Sequence, residues 1–286
     1  MKDINKSAQI KLTISRIVVY AILIFLSFLC LFFFYLMFIN STRSHAQLQG
    51  GFTLIPSNNF FTNLKNAWND SDINIPVGMK NSFVVALLSG LLTTYFSALT
   101  AYGTYVYNFK LKKFAHLFIL AIMMIPSQVS AVGFIQLAFK YGLTNKLWVL
   151  IVPSIAAPAV YFYMRQYLEA TLPLEMVEAA RIDGANEFKI FNQVVLPIMK
   201  PAIAVQMIFS FVGSWNNYFM PSLLLNKPNV KTVPVMIATL RSADYSKFDM
   251  GKVYMLMLMA ILPVMVIYVI LSKSIIKGVT SGSVKG

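Results

Sequence analysis

Six long stretches of this chain contain no Asp, Glu, Lys or Arg, and they narrow its fold class before any motif is read. They run approximately over 17–39, 81–107, 114–137, 147–164, 201–224 and 253–272. A helix needs about 20 mostly apolar residues to cross the hydrocarbon core of a bilayer. Backbone polar groups in lipid must be satisfied internally, which leaves helices and closed barrels as the spanning structures. The reading is an all-α membrane protein of six transmembrane helices. Composition agrees: only 12% of the 286 residues are charged and 58% are hydrophobic, where a soluble domain keeps about a quarter charged. No stretch remains long enough for a separate soluble domain. The expected organisation is an N-terminal segment 1–16, a transmembrane domain 17–272 with a polar loop over about 166–200, and a tail 273–286.

The formal net charge of +14 has two readings. Nucleic acid would demand a basic run interleaved with exposed aromatics, and none occurs, so no nucleic-acid partner is expected. Cations gathered at membrane edges, beside anionic headgroups, account for the charge. Lys110, Lys112 and Lys113 crowd one short loop and mark it as cytoplasmic; both termini then lie inside. Lys2, Lys6, Lys11 and Arg16 precede the first stretch, which is too long for a secretory signal and is expected to stay as a span. The single Cys30 cannot form an internal disulfide.

Several chemistries are excluded. Ion-coupled carriers usually place ionisable groups inside their spans at considerable cost, and here no span holds a carboxylate. The two histidines, His45 and His116, lie in different segments, so no metal-binding H-E-x-x-H helix exists. The phosphate loop G-x-x-x-x-G-K-[ST] is also missing, and by that route the chain cannot hydrolyse ATP. No catalytic residue, metal or bound cofactor is expected.

Within the spans, Ser89, Thr93, Ser97 and Ala101 recur every fourth residue. Small side chains on one helical face let membrane helices approach closely. Pro126, Pro153, Pro158, Pro221 and Pro263 fall in other spans, where a missing N–H and a ring clash bend the helix.

The polar loop says most. TLPLEMVEAARIDGANEFKIFNQVVLPIMKP reads as two short helices joined at Asp183-Gly184. Pro173 suits a first helical position, Glu175 and Glu178 favour the positive helix end, and Gly184 suits a left-handed helix stop. Phe188, Phe191, Val194 and Val195 follow at helical spacing. An element of this kind could receive another protein's push or lie on the bilayer; amphipathicity alone leaves both open.

The same stretch resembles the EAA loop of ABC importer permeases. Glu178-Ala179-Ala180, then Gly184, then Val194-x-Leu196-Pro197 follow that pattern, with Val for the usual Ile, and Asp183, Ala185 and Phe191 match its longer form in sugar permeases. The likeness extends to carbohydrate permeases of the maltose-system G-subunit type through Asn81-Ser82, Met124-Ile125-Pro126, Gly142-Leu143-Thr144-Asn145, Trp215-Asn216-Asn217 with Pro221, and the tail from Gly278. One departure is Tyr107 near the place where the family often carries Arg, with Lys110 left to supply charge nearby. The outer loop from about 40 to 80 also differs.

The resemblance implies a type I importer permease fold, with the loop as a coupling helix. Glu178, Ala179, Ala180, Asp183 and Gly184 would dock an ATPase, and Thr280, Gly282 and Lys285 of the tail would also reach it. Implied partners are a second permease subunit, a cytoplasmic ATPase dimer that binds ATP and Mg, an extracellular sugar-binding protein, and the bilayer of a bacterial cell membrane. Gln128, Trp215, Asn216 and Asn217 offer an aromatic face and amide hydrogen bonds to a sugar, although interhelical packing would use the same groups. Similar permeases carry sugar phosphates such as glycerol phosphate, so that substrate class is the alternative.

Overall fold

A computed structural model describes residues 2–70, 73–241 and 249–283, with side chains over 11–70, 73–241 and 249–272. Its described residues are helical, with no strand. Helices Lys11–Ser41, Ile75–Val106, Trp148–Thr171 (closed up through a short 3-10 turn) and Met250–Ser272 are long and apolar enough to cross a membrane. One further crossing is the bent pair Lys112–Ile122 with Ser127–Lys140, at 92°, and another begins at Lys200–Trp215, which meets Glu187–Ile198 of the polar loop at an 81° bend. Among the described residues this makes up to six crossings.

The chain divides into two compact units, Met1–Asn69 with Ala243–Met259 and Asp70–Ser242 with Ala260–Gly286. In the first, the helix Lys2–Ser41 is exposed through most of its apolar length, from Leu12 to Phe38. Order concentrates just beyond it. Arg43 donates to the carbonyls of Gln47 and Gly51, and Asn63 Nδ2 donates to Ser41 O and Arg43 O at 2.8 Å each. Gly251 lies so near that a Cβ there would sit 2.7 Å from Arg43 O.

The second unit is built around Ile75–Val106, a 32-residue helix whose first turn is capped by Asn74. It packs mainly on Lys200–Trp215 and Pro158–Thr171. The four-residue stripe is the reason: Ser89, Thr93, Ser97 and Ala101 are all at most 5% exposed. Thr93 Oγ1 donates to Ser154 O at 2.8 Å. Such bonds between membrane helices contribute about 0.6 kcal/mol on average, so close packing carries most of the association. At the far end Asn81 Nδ2 donates to Asn229 O and Lys231 O, and Ser82 Oγ accepts from Val233 N.

The prolines act in three different ways. Pro126 stands at the 92° bend and Pro153 in the 3-10 turn Val152–Ile155, whereas Pro158 opens a helix and Pro263 lies inside one continuous helix, Met250–Ser283. Pro263 therefore does not break its span. Two boundaries also differ from the hydropathy reading. The fourth helix continues past 164 to Thr171, and the pairing of Arg165 Nη2 with Glu169 Oε1 at 2.8 Å offsets the charge that it adds. The last helix runs through most of the tail to Ser283, because extending a helix costs far less than starting one.

Candidate functional site

The loop over 166–200 folds as one anchored element. Helix Leu174–Ile182 follows Pro173, which occupies the cap position, and it ends at Gly184 with φ 79°. Gly184 N donates to Arg181 O and Ala185 N to Ala180 O, at 3.0 and 3.1 Å; this paired bonding closes the helix C-terminus around a left-handed residue. No atom lies within 4 Å of a Cβ built on Gly184, so backbone conformation alone selects glycine. Asn186 then caps the next helix, its Oδ1 accepting from Lys189 N at 2.8 Å.

Burial divides the loop into a root and a crown. Val177, Ile190, Phe191 and Val195 are buried with Tyr102, Tyr161, Met164 and Leu168 in the main core cluster. Glu178, Ala179, Asp183 and Gly184 are exposed, while Ala180 is half-buried against that cluster. Phe188 did not join the buried face with its helical neighbours. Phe188 on the short helix Glu187–Ile190 and Ile182 on the helix before it stand 71% and 87% exposed, and a π-helical turn over Phe191–Val195 shifts the register of the residues that follow.

A polar clamp missing from the sequence reading ties the element to the central helix. Glu187 Oε1 accepts from Arg181 Nε, and its Oε2 accepts from Tyr102 OH, both at 2.7 Å. The hydrogen bond from Arg181 lowers the Glu187 carboxyl from 4.5 to about 2. The Arg181 guanidinium also lies over the Tyr107 ring at 5.4 Å. The charge beside Tyr107 thus comes from Arg181, rather than from the exposed Lys110. A signal existed: Arg181 and Glu187 flank the Asp183-Gly184 turn with opposite charge, six residues apart.

The four residues named for a sugar contact differ in their surroundings. Trp215 is 2% exposed, donates Nε1 to Ala260 O at 3.0 Å and stacks on Phe211; packing uses both its ring and its N–H. Gln128 and Asn216 are exposed, and Gln128 accepts from Ser127 Oγ at 3.3 Å. Asn217 alone lines a cavity of about 470 Å³, together with Ser82, Ser127, Ser130, Ser214 and Thr232. On the tail, Thr280 and Gly282 fall on the last helix, and Lys285 lies outside the described residues. No group of three His, Cys, Asp or Glu side chains suited to a metal occurs among the described residues.

Comparison with known proteins bears on what such an arrangement belongs to. The chain is 35% identical over 209 residues to an arabinooligosaccharides transport system permease protein of Bacillus subtilis, covering 72% of each. It is 30% identical over 269 residues to a lactose transport system permease protein of Rhizobium radiobacter, covering 94% of this chain and 96% of that one. The fold matches a chain of a bacterial ABC transporter involved in import of the acidic polysaccharide alginate, with TM-score 0.79 and 21% identity over 91% of this chain and 96% of the other. Residues 90–278, which include the clamp, the loop and the packing stripe from Thr93 onward, match the family described as binding-protein-dependent transport system inner membrane component. A chain with these apolar helices, this loop and these relatives belongs to that family.

Proposed function

We propose that this chain is the permease subunit of an ATP-driven importer that brings a sugar or oligosaccharide, delivered by an external binding protein, into the cytoplasm. A second permease subunit would complete the pathway, and a dimer of ATPases would bind ATP and Mg and do the hydrolysis, this chain contributing no catalysis. Both termini would be cytoplasmic. The observation that carries the reading is the loop's construction, with a buried root in the same core as the central span and an exposed crown of Glu178, Ala179, Asp183 and Gly184.

The mechanics follow from that division. A partner closing on the crown pushes an element that is fused to Ile75–Val106 through Val177, Phe191 and the Glu187 clamp. Force is therefore delivered to a span and not dissipated in a floppy loop. A nucleotide can drive the change only by contacts that differ between the inward- and outward-facing states. Carriage of a sugar is supported by the relatives' substrates, arabinooligosaccharides and lactose.

The test is a pull-down of the tagged chain from mild detergent, comparing the parent with Glu178→Ala and Gly184→Val. Recovery of an ATPase and a second permease with the parent, and a weakened ATPase band with the variants, supports the docking assignment. An intact chain that brings no ATPase, even after crosslinking before solubilisation, would require its withdrawal.

A further inference from the structure

A groove opens where the polar loop turns into the crossing that begins at Lys200. Glu187–Ile198 meets Lys200–Trp215 there at 81°. Leu196 and Pro197 before the bend and Ile203 after it border a space of about 280 Å³, and Leu91 and Tyr95 of Ile75–Val106 form its other wall. That volume falls below the roughly 300–1,000 Å³ of sites that enclose a small molecule, so the groove suits one part of a longer molecule.

Its side of the helix says where that molecule comes from. Leu91 follows Ser82, and Thr94 follows Val85, by nine residues, which is two and a half helical turns. Ser82 and Val85 line the cavity of about 470 Å³, whereas Leu91 and Thr94 line the groove. The two spaces therefore lie on opposite sides of Ile75–Val106. An occupant of the groove reaches it from the surroundings of the chain and not through the cavity, and Leu91, 49% exposed, is open to those surroundings. Around a membrane helix they are lipid or another apolar helix.

Charge decides between the two. Lys200 also lines the groove; it is exposed and, among the described residues, forms no ion pair. It directly precedes the uncharged stretch 201–224, which sets it at the level of the headgroups. It also opens its helix, the end where a cation is unfavourable and an anion favourable. An apolar protein helix laid over the groove would bury this ammonium without a counter-charge, at a steep cost. A phospholipid brings a phosphate to it while an acyl chain covers Leu91, Leu196 and Ile203. Tyr95 OH and the Asn192 amide, 3.4 Å apart, border the same space and are groups that can donate to ester oxygens. A headgroup without net charge would set its own ammonium beside Lys200, and basic pockets between membrane helices are recurring seats for anionic headgroups.

We infer that this groove holds an anionic phospholipid, with its phosphate on Lys200 and one acyl chain over Leu91 and Ile203. The inference goes beyond the importer reading and requires only that the chain sits in a bilayer.

The test uses the full chain with whatever subunits copurify, reconstituted in nanodiscs of phosphatidylcholine with phosphatidylglycerol and returned to mild detergent. Native mass spectrometry then counts each lipid retained. The expected result is preferential retention of phosphatidylglycerol by the parent. Retention should fall about three- to tenfold in Lys200→Gln, as the loss of one lysine at a membrane surface implies, and also in Leu91→Trp, which fills the groove and keeps the charge. Lys113→Gln removes an exposed lysine of the short loop and should retain the lipid as the parent does. Lys200 is exposed, so its variant reports on the groove even if Leu91→Trp impairs folding. Parental retention in Lys200→Gln overturns the inference. So does an equal fall in Lys113→Gln, which would mean that surface charge alone gathers the lipid, and so does displacement of the lipid by inorganic phosphate. Crosslinking of Leu91→Cys to a copurifying membrane subunit would make the groove a subunit interface and overturn it as well. None of these results depends on recovering an ATPase, so the importer reading stands or falls separately.

Discussion

Gly184 shows how one backbone angle can shape the loop surface proposed to dock the ATPase. At φ 79° a side chain with a Cβ costs roughly 1–2 kcal/mol, and open space around it means that sterics add nothing. Gly184→Asn should then be nearly silent, since Asn tolerates the left-handed region, while Gly184→Val should cut uptake and ATPase recovery with the chain still in the membrane. Equal loss in both variants would point to a contact instead of a conformation. Glu187 is the second decisive residue. Its carboxyl is held at about 2 from 4.5 by the Arg181 hydrogen bond, so the clamp's contribution is complete above about pH 4.5 and is lost as pH falls toward 2. Both partners remain about two-fifths exposed, which limits the ion pair to about 0.2–1 kcal/mol. Proteolytic protection of 174–190 should therefore be flat from pH 7 to 5 and weaken below it, and Glu187→Gln should abolish that dependence.

At the scale of elements, the close approaches differ in what they can absorb. A Cβ on Gly90 would meet the thioether of Met207, with Sδ at 2.8 Å, a flexible group that shifts at little cost. A Cβ on Gly251 would meet Arg43 O at 2.7 Å and Asn63, a carbonyl and an amide already bonded to one another. Gly251→Ala should lower stability by about 1–3 kcal/mol and Gly90→Ala by clearly less, as read by thermal unfolding in detergent. The reverse order would refute this account of the two sites. Much at this scale was legible in the sequence. The four-residue stripe of Ser89, Thr93, Ser97 and Ala101 is a local periodicity, and it became the packing face. The turn at Asp183-Gly184 was equally plain, since glycine's freedom is a property of one residue. The outward placing of Phe188 was not, because which side of the four-residue helix Glu187–Ile190 meets the core is set by the neighbours that bury Ile190 and Phe191.

For the whole molecule, orientation in the membrane is the property still to be measured. Lysines in the short loop at 110–113 argue for a cytoplasmic face there, which sets the turn at 142–146 outside. In a Cys30→Ser background, Lys146→Cys should react with an impermeant maleimide on intact cells and Lys113→Cys only after permeabilisation. Both positions are exposed, so an inverted pattern would reverse the topology and remove the coupling-loop assignment.

The amino-acid sequence by itself determined the number of apolar spans, the absence of charged groups from their centres and the glycine-stopped loop, because hydropathy, charge and backbone freedom are local quantities. Only the tertiary structure decided that Trp215 gives its N–H to Ala260 O, and that Glu187 joins Arg181 to Tyr102 across 85 residues of chain. It alone brought Ser82, Ser130, Ser214 and Thr232 around one cavity. Those groupings depend on which helix faces meet and where three helices break. Such long-range choices follow from packing many helices at once, and no single stretch of sequence encodes them.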